Sequence, residues 1–280
     1  MGAARTIRAG TLDVEYDLAD YTAPWRCDEP ETIVLHHGYC RSMAFWQSWV
    51  PLLSGHFRVL RISGRGCGGT TVPPAGAPYS MDVLVADTIA VLDALSIARA
   101  VWVGESSGGI LGLATALQHP RRISALAMCD TPYRIASKVA DAYNLGEPDY
   151  ATTIRKHGFR SWCRQTLPYR IDMSRASAEL QDWYVEQMGS APEHIAVAHH
   201  LMAVDADLWP RLPEIRVPLL WMAGAASKLA SPEGMQAMHA ALPSAKLVRF
   251  EGYGHGINLL APEQCVAELR RFLDERRGDS

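Results

Sequence analysis

Two glycine-flanked polar residues carry the clearest chemical potential in the chain. Ser106 is the central residue of Gly104-Glu105-Ser106-Ser107-Gly108, a G-x-S-x-G pattern, and His255 sits in Gly254-His255-Gly256. A serine hydroxyl is a weak nucleophile until a base takes its proton, and a histidine brought beside it supplies that base. Such a pair performs acyl transfer. It then needs a carboxylate to hold the imidazole in one tautomer and two fixed N–H donors to hold the oxyanion.

These residues must be positioned by regular elements. The apolar run Ala100–Gly104 reads as a strand, and the small-residue stretch from Gly109 to His119 as a helix, so Ser106 falls on the turn between them. A sharp strand-to-helix turn of this kind strains the backbone and needs small neighbours. The backbone N–H of Ser107, at the start of that helix, is one oxyanion donor. The other is the N–H of Tyr39, in the loop His37-Gly38-Tyr39 that follows the β-branched run Thr32–His37. The Tyr39 side chain is then expected to line the pocket. His36, His37, His199, His200 and His239 lack this setting and read as structural.

From about residue 30 onward, apolar runs alternate with helical patterns. Further strands are expected at Phe57–Ser63, Ile123–Cys129, Pro218–Gly224 and Ala245–Gly252. Helices are expected at Met43–Leu53, Met81–Leu95, Pro232–Leu242 and Pro262–Arg277. Alternation of this kind implies parallel βαβ units buried on both faces. Residues 134–210 break the pattern: they are polar, aromatic and helix-like. The expected organisation is therefore a core of residues 1–133 and 211–280, with an inserted helical cap at 134–210.

Composition narrows the function classes. The chain has 280 residues, 48% hydrophobic and 20% charged, with a net charge of −3. That charge leaves no basic footprint for nucleic acid. No apolar run is long enough to span a membrane, and no secretory h-region is evident near the N-terminus. The six cysteines are scattered without a CxxC pair, which fits reduced thiols in a cytoplasmic protein better than a disulfide framework or zinc site. No metal or organic cofactor is implied. A homo-oligomer is compatible with the sequence, which does not specify one.

Taken in order, His36-His37-Gly38-Tyr39, Ser63–Thr70 (SGRGCGGT), Gly104–Gly109 (GESSGG) and Gly252–Gly256 (GYGHG) resemble the α/β-hydrolase fold family. The resemblance implies a mostly parallel, roughly eight-stranded sheet with helices on both faces and a lid between the sixth and seventh strands. It also exposes two departures. Ser63 stands where Asp is frequent. More consequentially, the family usually carries its catalytic acid after the seventh strand, three residues beyond a glycine. Here that stretch reads Gly224-Ala225-Ala226-Ser227-Lys228, with no Asp or Glu between Ile215 and Pro232.

Asp130 is the replacement candidate. It closes the preceding strand in Leu126–Arg134 (LAMCDTPYR), and active sites of open parallel sheets form at the carboxyl ends of strands. Some branches of the family place the acid there. The stretches Asp130-Thr131-Pro132-Tyr133 and Ser227-Lys228-Leu229 resemble acetamidomethylene-succinate amidohydrolases, and the general pattern resembles 3-oxoadipate enol-lactonase-type hydrolases. As a bland alternative, Asp130 is a turn or helix-cap residue, with Glu251 or Asp205 as the acid.

The resulting expectation is a Ser106–His255–Asp130 hydrolase of a small carboxylic ester or enol-lactone. Tyr133, Arg134, Trp162 and Trp183, with Tyr39, are the candidate substrate-binding residues. Arg164, Tyr169 and Arg170 add to the same aromatic, basic stretch, so a small substrate bearing a carboxylate fits, since arginine grips carboxylates in two-pronged fashion. Four other readings use the same scaffold: an amidohydrolase, a C–C bond hydrolase, a cofactor-free dioxygenase using the His–Asp pair, and a non-catalytic binding protein.

Overall fold

A computed structural model of the chain describes residues 4–132, 137–205, 207–229 and 232–278. Eight strands form one sheet: β1 (Arg5–Ala9), β2 (Leu12–Ala19), β3 (Thr32–His36), β4 (Arg58–Ile62), β5 (Ala100–Glu105), β6 (Ile123–Cys129), β7 (Leu219–Gly224) and β8 (Lys246–Phe250). Their spatial order is β1-β2-β4-β3-β5-β6-β7-β8. From β4 to β8 neighbours are parallel, while β2 runs antiparallel to β1 and to β4.

The helices are α1 (Val50–Leu53), α2 (Met81–Ala94), α3 (Ser107–Gln118), α4 (Ser137–Tyr143), α5 (Tyr150–His157), α6 (Phe159–Thr166), α7 (Ala178–Gly189), α8 (Glu193–Asp205), α9 (Pro232–Ala241), α10 (Ile257–Leu260) and α11 (Pro262–Gly278). α4 to α8 lie in the chain between β6 and β7.

The central strands are apolar along their whole length because both faces are covered. Successive residues alternate between two cores, as the two-residue period of a strand requires. Val34, Trp102, Leu126 and Trp221 face the side with α2 and α3. Ile33, Leu35, Val101, Val103, Ala125, Ala127, Leu220 and Met222 face the side with Trp46, Trp49 and α11. Each buried Val, Leu, Ile or Met among them stabilises the fold by about 1.5–3 kcal/mol.

The structure changes one sequence expectation and adds two features. The N-terminal hairpin of β1 and β2, turning at Gly10 with φ +58°, was not anticipated, although Leu12, Val14, Tyr16 and Leu18 alternate. The expected helix Met43–Leu53 is a 3₁₀ turn over Met43–Trp49 followed by the short α1. Pro51 explains the break, because it lacks the N–H that a continuous α-helix would need there. Ser63, in the place where Asp is frequent, donates its hydroxyl to Glu15 of β2 (2.7 Å), and Glu15 also accepts the Gly69 N–H (2.9 Å). A carboxylate from the hairpin thus holds this loop.

Candidate active site

Ser106 occupies the β5–α3 turn at φ 52°, ψ −121°. A non-glycine residue held there costs about 1–3 kcal/mol and persists only where its surroundings enforce it. The surroundings do so through close packing. A Cβ on Gly104 would lie 2.2 Å from the Gly108 carbonyl oxygen, and one on Gly108 would lie 2.5 Å from the carbonyl oxygens of His36 and His37. Helix α3 therefore rests directly on the sheet backbone. The indole N–H of Trp102 fastens it by donating to Gly108 O at 3.0 Å.

The ladder continues one residue past the strand ends. Ser106 N–H donates to Cys129 O and Asp130 N–H donates to Met222 O, both at 2.9 Å. The tips of β5, β6 and β7 are thus joined in a row. Asp130, like Ser106, has a positive φ, 49°, which turns its side chain out of the strand path. Its carboxylate is buried and accepts three backbone N–H groups: Gly224 on Oδ1 (2.8 Å), and Gly256 and Ile257 on Oδ2 (2.7 and 2.9 Å). Burial raises its pKa, opposed by nearby His255 and by these three donors. Asp130 therefore binds the backbone that leads out of His255.

His255 itself is buried. Its Nδ1 lies 3.4 Å from Ser227 Oγ, and its Nε2 lies 3.4 Å from Glu105 Oε1. Among the described residues, Nε2 makes no hydrogen bond. The helical segment holds the same loop from the other side, where Asp172 N–H donates to His255 O (2.9 Å) and Asp172 Oδ2 accepts Gly254 N–H (2.9 Å). Ser227, at the position where the family usually carries its acid, thus sits against the histidine ring. The alternative acids Glu251 and Asp205 are both exposed.

Glu105 escaped the sequence reading, which treated it as a filler position of the motif. Its Oε2 accepts the Gly38 N–H at 3.0 Å and pairs with Arg41, while Oε1 faces His255. Burial works to raise its pKa, but Arg41 and then His255 outweigh burial and hold it at about 2. Arg41 also donates to the Tyr184 hydroxyl. The loop carrying the Tyr39 N–H is thereby tied to the residue next to Ser106. The Ser107 N–H begins α3, where the helix offers it no acceptor. A signal for Glu105 did exist: it is a charged residue ending a wholly apolar strand.

The helical segment closes over this region. The Tyr39 hydroxyl donates to Ala196 O (2.7 Å) and meets the Tyr150 hydroxyl (2.5 Å). His199 of α8, expected to be structural, reaches Ser107 Oγ through Nε2 (3.4 Å) and the Tyr79 hydroxyl through Nδ1 (3.3 Å). Burial lowers its pKa to about 3, so it is neutral there. Trp162 is fully buried, with its indole N–H on Tyr143 O at 2.7 Å. It lies in the segment's own core. Trp183 is half-buried against Phe45, with ring centroids 4.8 Å apart. Tyr133 and Arg134 lie outside the described residues. Arg164 is an exposed residue paired with Asp182.

Arg170 differs from the other buried arginines. Arg41 and Arg61 pair with Glu105 and Asp17, and the half-buried Arg65 pairs with Asp87. Arg170 is 3% exposed, and among the described residues its side chain makes one hydrogen bond, to Thr166 Oγ1 at 3.3 Å. Its guanidinium lies over the rings of Trp162 (3.9 Å), Tyr143 (4.5 Å) and Tyr39 (5.9 Å). Among the described residues no carboxylate pairs with it.

Among the described residues, no group of three or more His, Cys, Asp and Glu is arranged to hold a metal ion, and no helix is long and apolar enough to cross a membrane. A surface groove of about 760 Å³, lined by Glu31, Arg58, Ser124 and Arg276 among others, opens at the other end of the strands, away from Ser106 and His255.

The sequence profile of the α/β hydrolase fold family matches residues 31–262. The chain belongs to the α/β-hydrolase fold family. Within the family it is similar to a Caulobacter segnis protein named as a carbamate hydrolase, RutD, at 28% identity over 89% of this chain and 94% of that one. The enol-lactonase from Burkholderia xenovorans LB400 superposes with a TM-score of 0.84 at 26% identity, covering 96% of this chain and 100% of its own. An E-2-(acetamidomethylene)succinate hydrolase superposes with a TM-score of 0.77 over 97% of this chain and 98% of its own, and at 19% identity that likeness is one of fold. The expected α/β-hydrolase architecture is met, and these relatives support a hydrolase.

Proposed function

We propose that this α/β-hydrolase is a serine hydrolase that cleaves a small-molecule carboxylic ester or enol-lactone through an acyl-enzyme on Ser106. The geometry of Ser106 carries the reading. A half-exposed hydroxyl, free of hydrogen bonds among the described residues, stands on an enforced strained turn at a helix N-terminus. The buried His255 loop lies at the neighbouring strand tips.

The residues divide the work as follows. Ser106 Oγ attacks the carbonyl carbon while its proton passes to His255. Backbone N–H groups of Tyr39 and Ser107 receive the oxyanion, each worth about 3 kcal/mol in such a role. The bond to the leaving oxygen breaks as His255 returns the proton to it. Water then attacks the acyl-enzyme with the same base and frees Ser106. Asp130 is the acid: it fixes the His255 loop and opposes the imidazolium charge. In the free protein Nε2 is not bonded to Ser106, so proton transfer requires the pair to draw together when substrate binds, a tightening common in such sites.

The insertion 134–210 acts as a cap that selects substrate. Arg170, a buried cation that no carboxylate among the described residues pairs with, favours a substrate bearing one, because an unpaired buried charge is costly. Cleavage of a C–N bond by the same residues is a second reading, favoured by the similarity to a carbamate hydrolase. A fluorophosphonate probe tests the shared core of both. Stoichiometric labelling mapped to Ser106, abolished in Ser106→Ala and slowed in His255→Ala, is the expected result. Folded wild-type protein that stays unlabelled would sink the proposal. Screening esters, lactones, amides and carbamates, with and without a free carboxylate, then separates the two readings.

A further inference from the structure

Among the described residues, the buried polar atoms without a hydrogen-bond partner include Arg41 Nε, Thr131 Oγ1 and, facing each other across the site, one atom each of a carboxylate and a histidine. The facing pair is Glu105 Oε1 and His255 Nε2, 3.4 Å apart. Leaving such atoms unpaired in a protein interior is costly. The other oxygen of the same carboxylate is fully engaged, on Gly38 N–H and Arg41. Glu105 therefore touches both the loop that presents the Tyr39 N–H and the histidine proposed as base, from the position next to the nucleophile.

We propose that Glu105 is a positioning residue that couples the oxyanion loop to the base. Its Oε2 fixes the turn at Gly38, and its Oε1 meets the charged ring formed when His255 takes the Ser106 proton. No bond to Glu105 is made or broken, and the proton stays on His255. The residue acts through charge, as a second carboxylate near the ring: Asp130 holds the backbone that follows His255, and Glu105 faces Nε2. The carboxylate also keeps the imidazole from drifting away from the β5 tip between turnovers.

This rests on the serine-hydrolase reading, and fluorophosphonate kinetics distinguish the two. With wild type labelled at Ser106, Glu105→Gln is expected to lower the maximal labelling rate about 10- to 100-fold, the size of a lost hydrogen bond to a charged group. The half-saturating probe concentration should not change, since the charge acts after binding. Glu105→Asp, which keeps the charge, should recover part of the rate. The double variant Glu105→Gln/Arg41→Met removes both buried charges and controls for an orphaned Arg41. It is expected to stay slow, and it carries the test if Glu105→Gln does not fold. Wild-type labelling rates in Glu105→Gln, or recovery to wild type in the double variant, overturn the inference. An unlabelled wild type overturns the parent reading instead.

Discussion

Asp130→Asn is the substitution that most directly tests the placement of the acid. The carboxylate accepts three backbone N–H groups at 2.7–2.9 Å and is 5% exposed. An asparagine keeps one acceptor and replaces the other by a donor. If its NH₂ points at Gly256 and Ile257, two N–H groups lose their acceptor. If it points at Gly224, only one does, so that orientation is preferred. One buried unpaired donor costs about 1–3 kcal/mol. The two remaining bonds lose charge assistance, worth roughly another 1 kcal/mol together. The expected loss of stability is thus about 2–4 kcal/mol, readable as a lower urea midpoint. The catalytic loss should exceed it, because the His255 imidazolium loses an opposing charge and its loop loses an anchor. A fall of about 10²–10⁴-fold in kcat is expected for removal of a triad acid. The assay is labelling by fluorophosphonate and turnover of an ester found by screening, in protein shown to be folded, with Ser227→Ala alongside. A near-normal kcat in Asp130→Asn, with collapse in Ser227→Ala, refutes the assignment.

Three further outcomes follow from the geometry. Glu105, held at about 2 against an ordinary 4.5, contributes stability that is fully present above about pH 4.5 and is lost as pH falls toward 2. The contribution is about 3 kcal/mol, and Glu105→Gln should flatten that part of the stability–pH curve; an unchanged slope excludes it. Gly224→Ala would place a Cβ 2.0 Å from the Gly254 carbonyl oxygen, pushing the His255 loop. It should cost about 1–3 kcal/mol of stability and slow Ser106 labelling on the order of 10²-fold, whereas wild-type labelling would show that the loop tolerates the shift. Arg170→Met should reduce kcat/KM for a carboxylate-bearing ester by about 10- to 100-fold and leave its neutral diester nearly unaffected. Equal losses on both would make Arg170 a structural cation.

The sheet was legible because β3, β5, β6 and β7 are buried on both faces, and such strands read as unbroken apolar runs. The β5–α3 turn was legible for a related reason: close packing of α3 against the sheet excludes side chains at Gly104 and Gly108. What escaped was either half-exposed or long-range. The β1–β2 hairpin has one wetter strand, so its alternation is diluted by charged residues. His199 reaches Ser107 across 92 positions of sequence, and no local pattern announces such a contact. Glu105 was visible as a residue but not as a role, since its partners Gly38 and Arg41 come from a different strand's loop. Trp162 was visible as an aromatic in a polar segment, but not its setting: it is buried in the core of that segment, with the Arg170 guanidinium 3.9 Å over its ring.

The missing acid after β7 has a structural rationale in Gly224 and Asp130. The tips of β6 and β7 are joined through the Asp130 N–H to Met222 and through the Gly224 N–H to Asp130 Oδ1. One residue in a left-handed conformation at the β6 tip therefore reaches over the β7 tip and onto the His255 loop. A second carboxylate at position 227 would lie against the same histidine, where Ser227 Oγ is 3.4 Å from Nδ1. Together with Asp130 and Glu105 it would put three carboxylates around one ring, and like charges in a buried space disfavour each other's ionisation. A neutral serine at 227 supplies a hydrogen-bonding oxygen without that repulsion. On this argument Ser227→Asp should not restore activity to Asp130→Asn merely by supplying an acid near the ring, because the new carboxylate leaves the N–H groups of Gly224, Gly256 and Ile257 unanchored. Full recovery of kcat in the double variant would show that charge near Nδ1 is sufficient and that the clamp on the loop is dispensable.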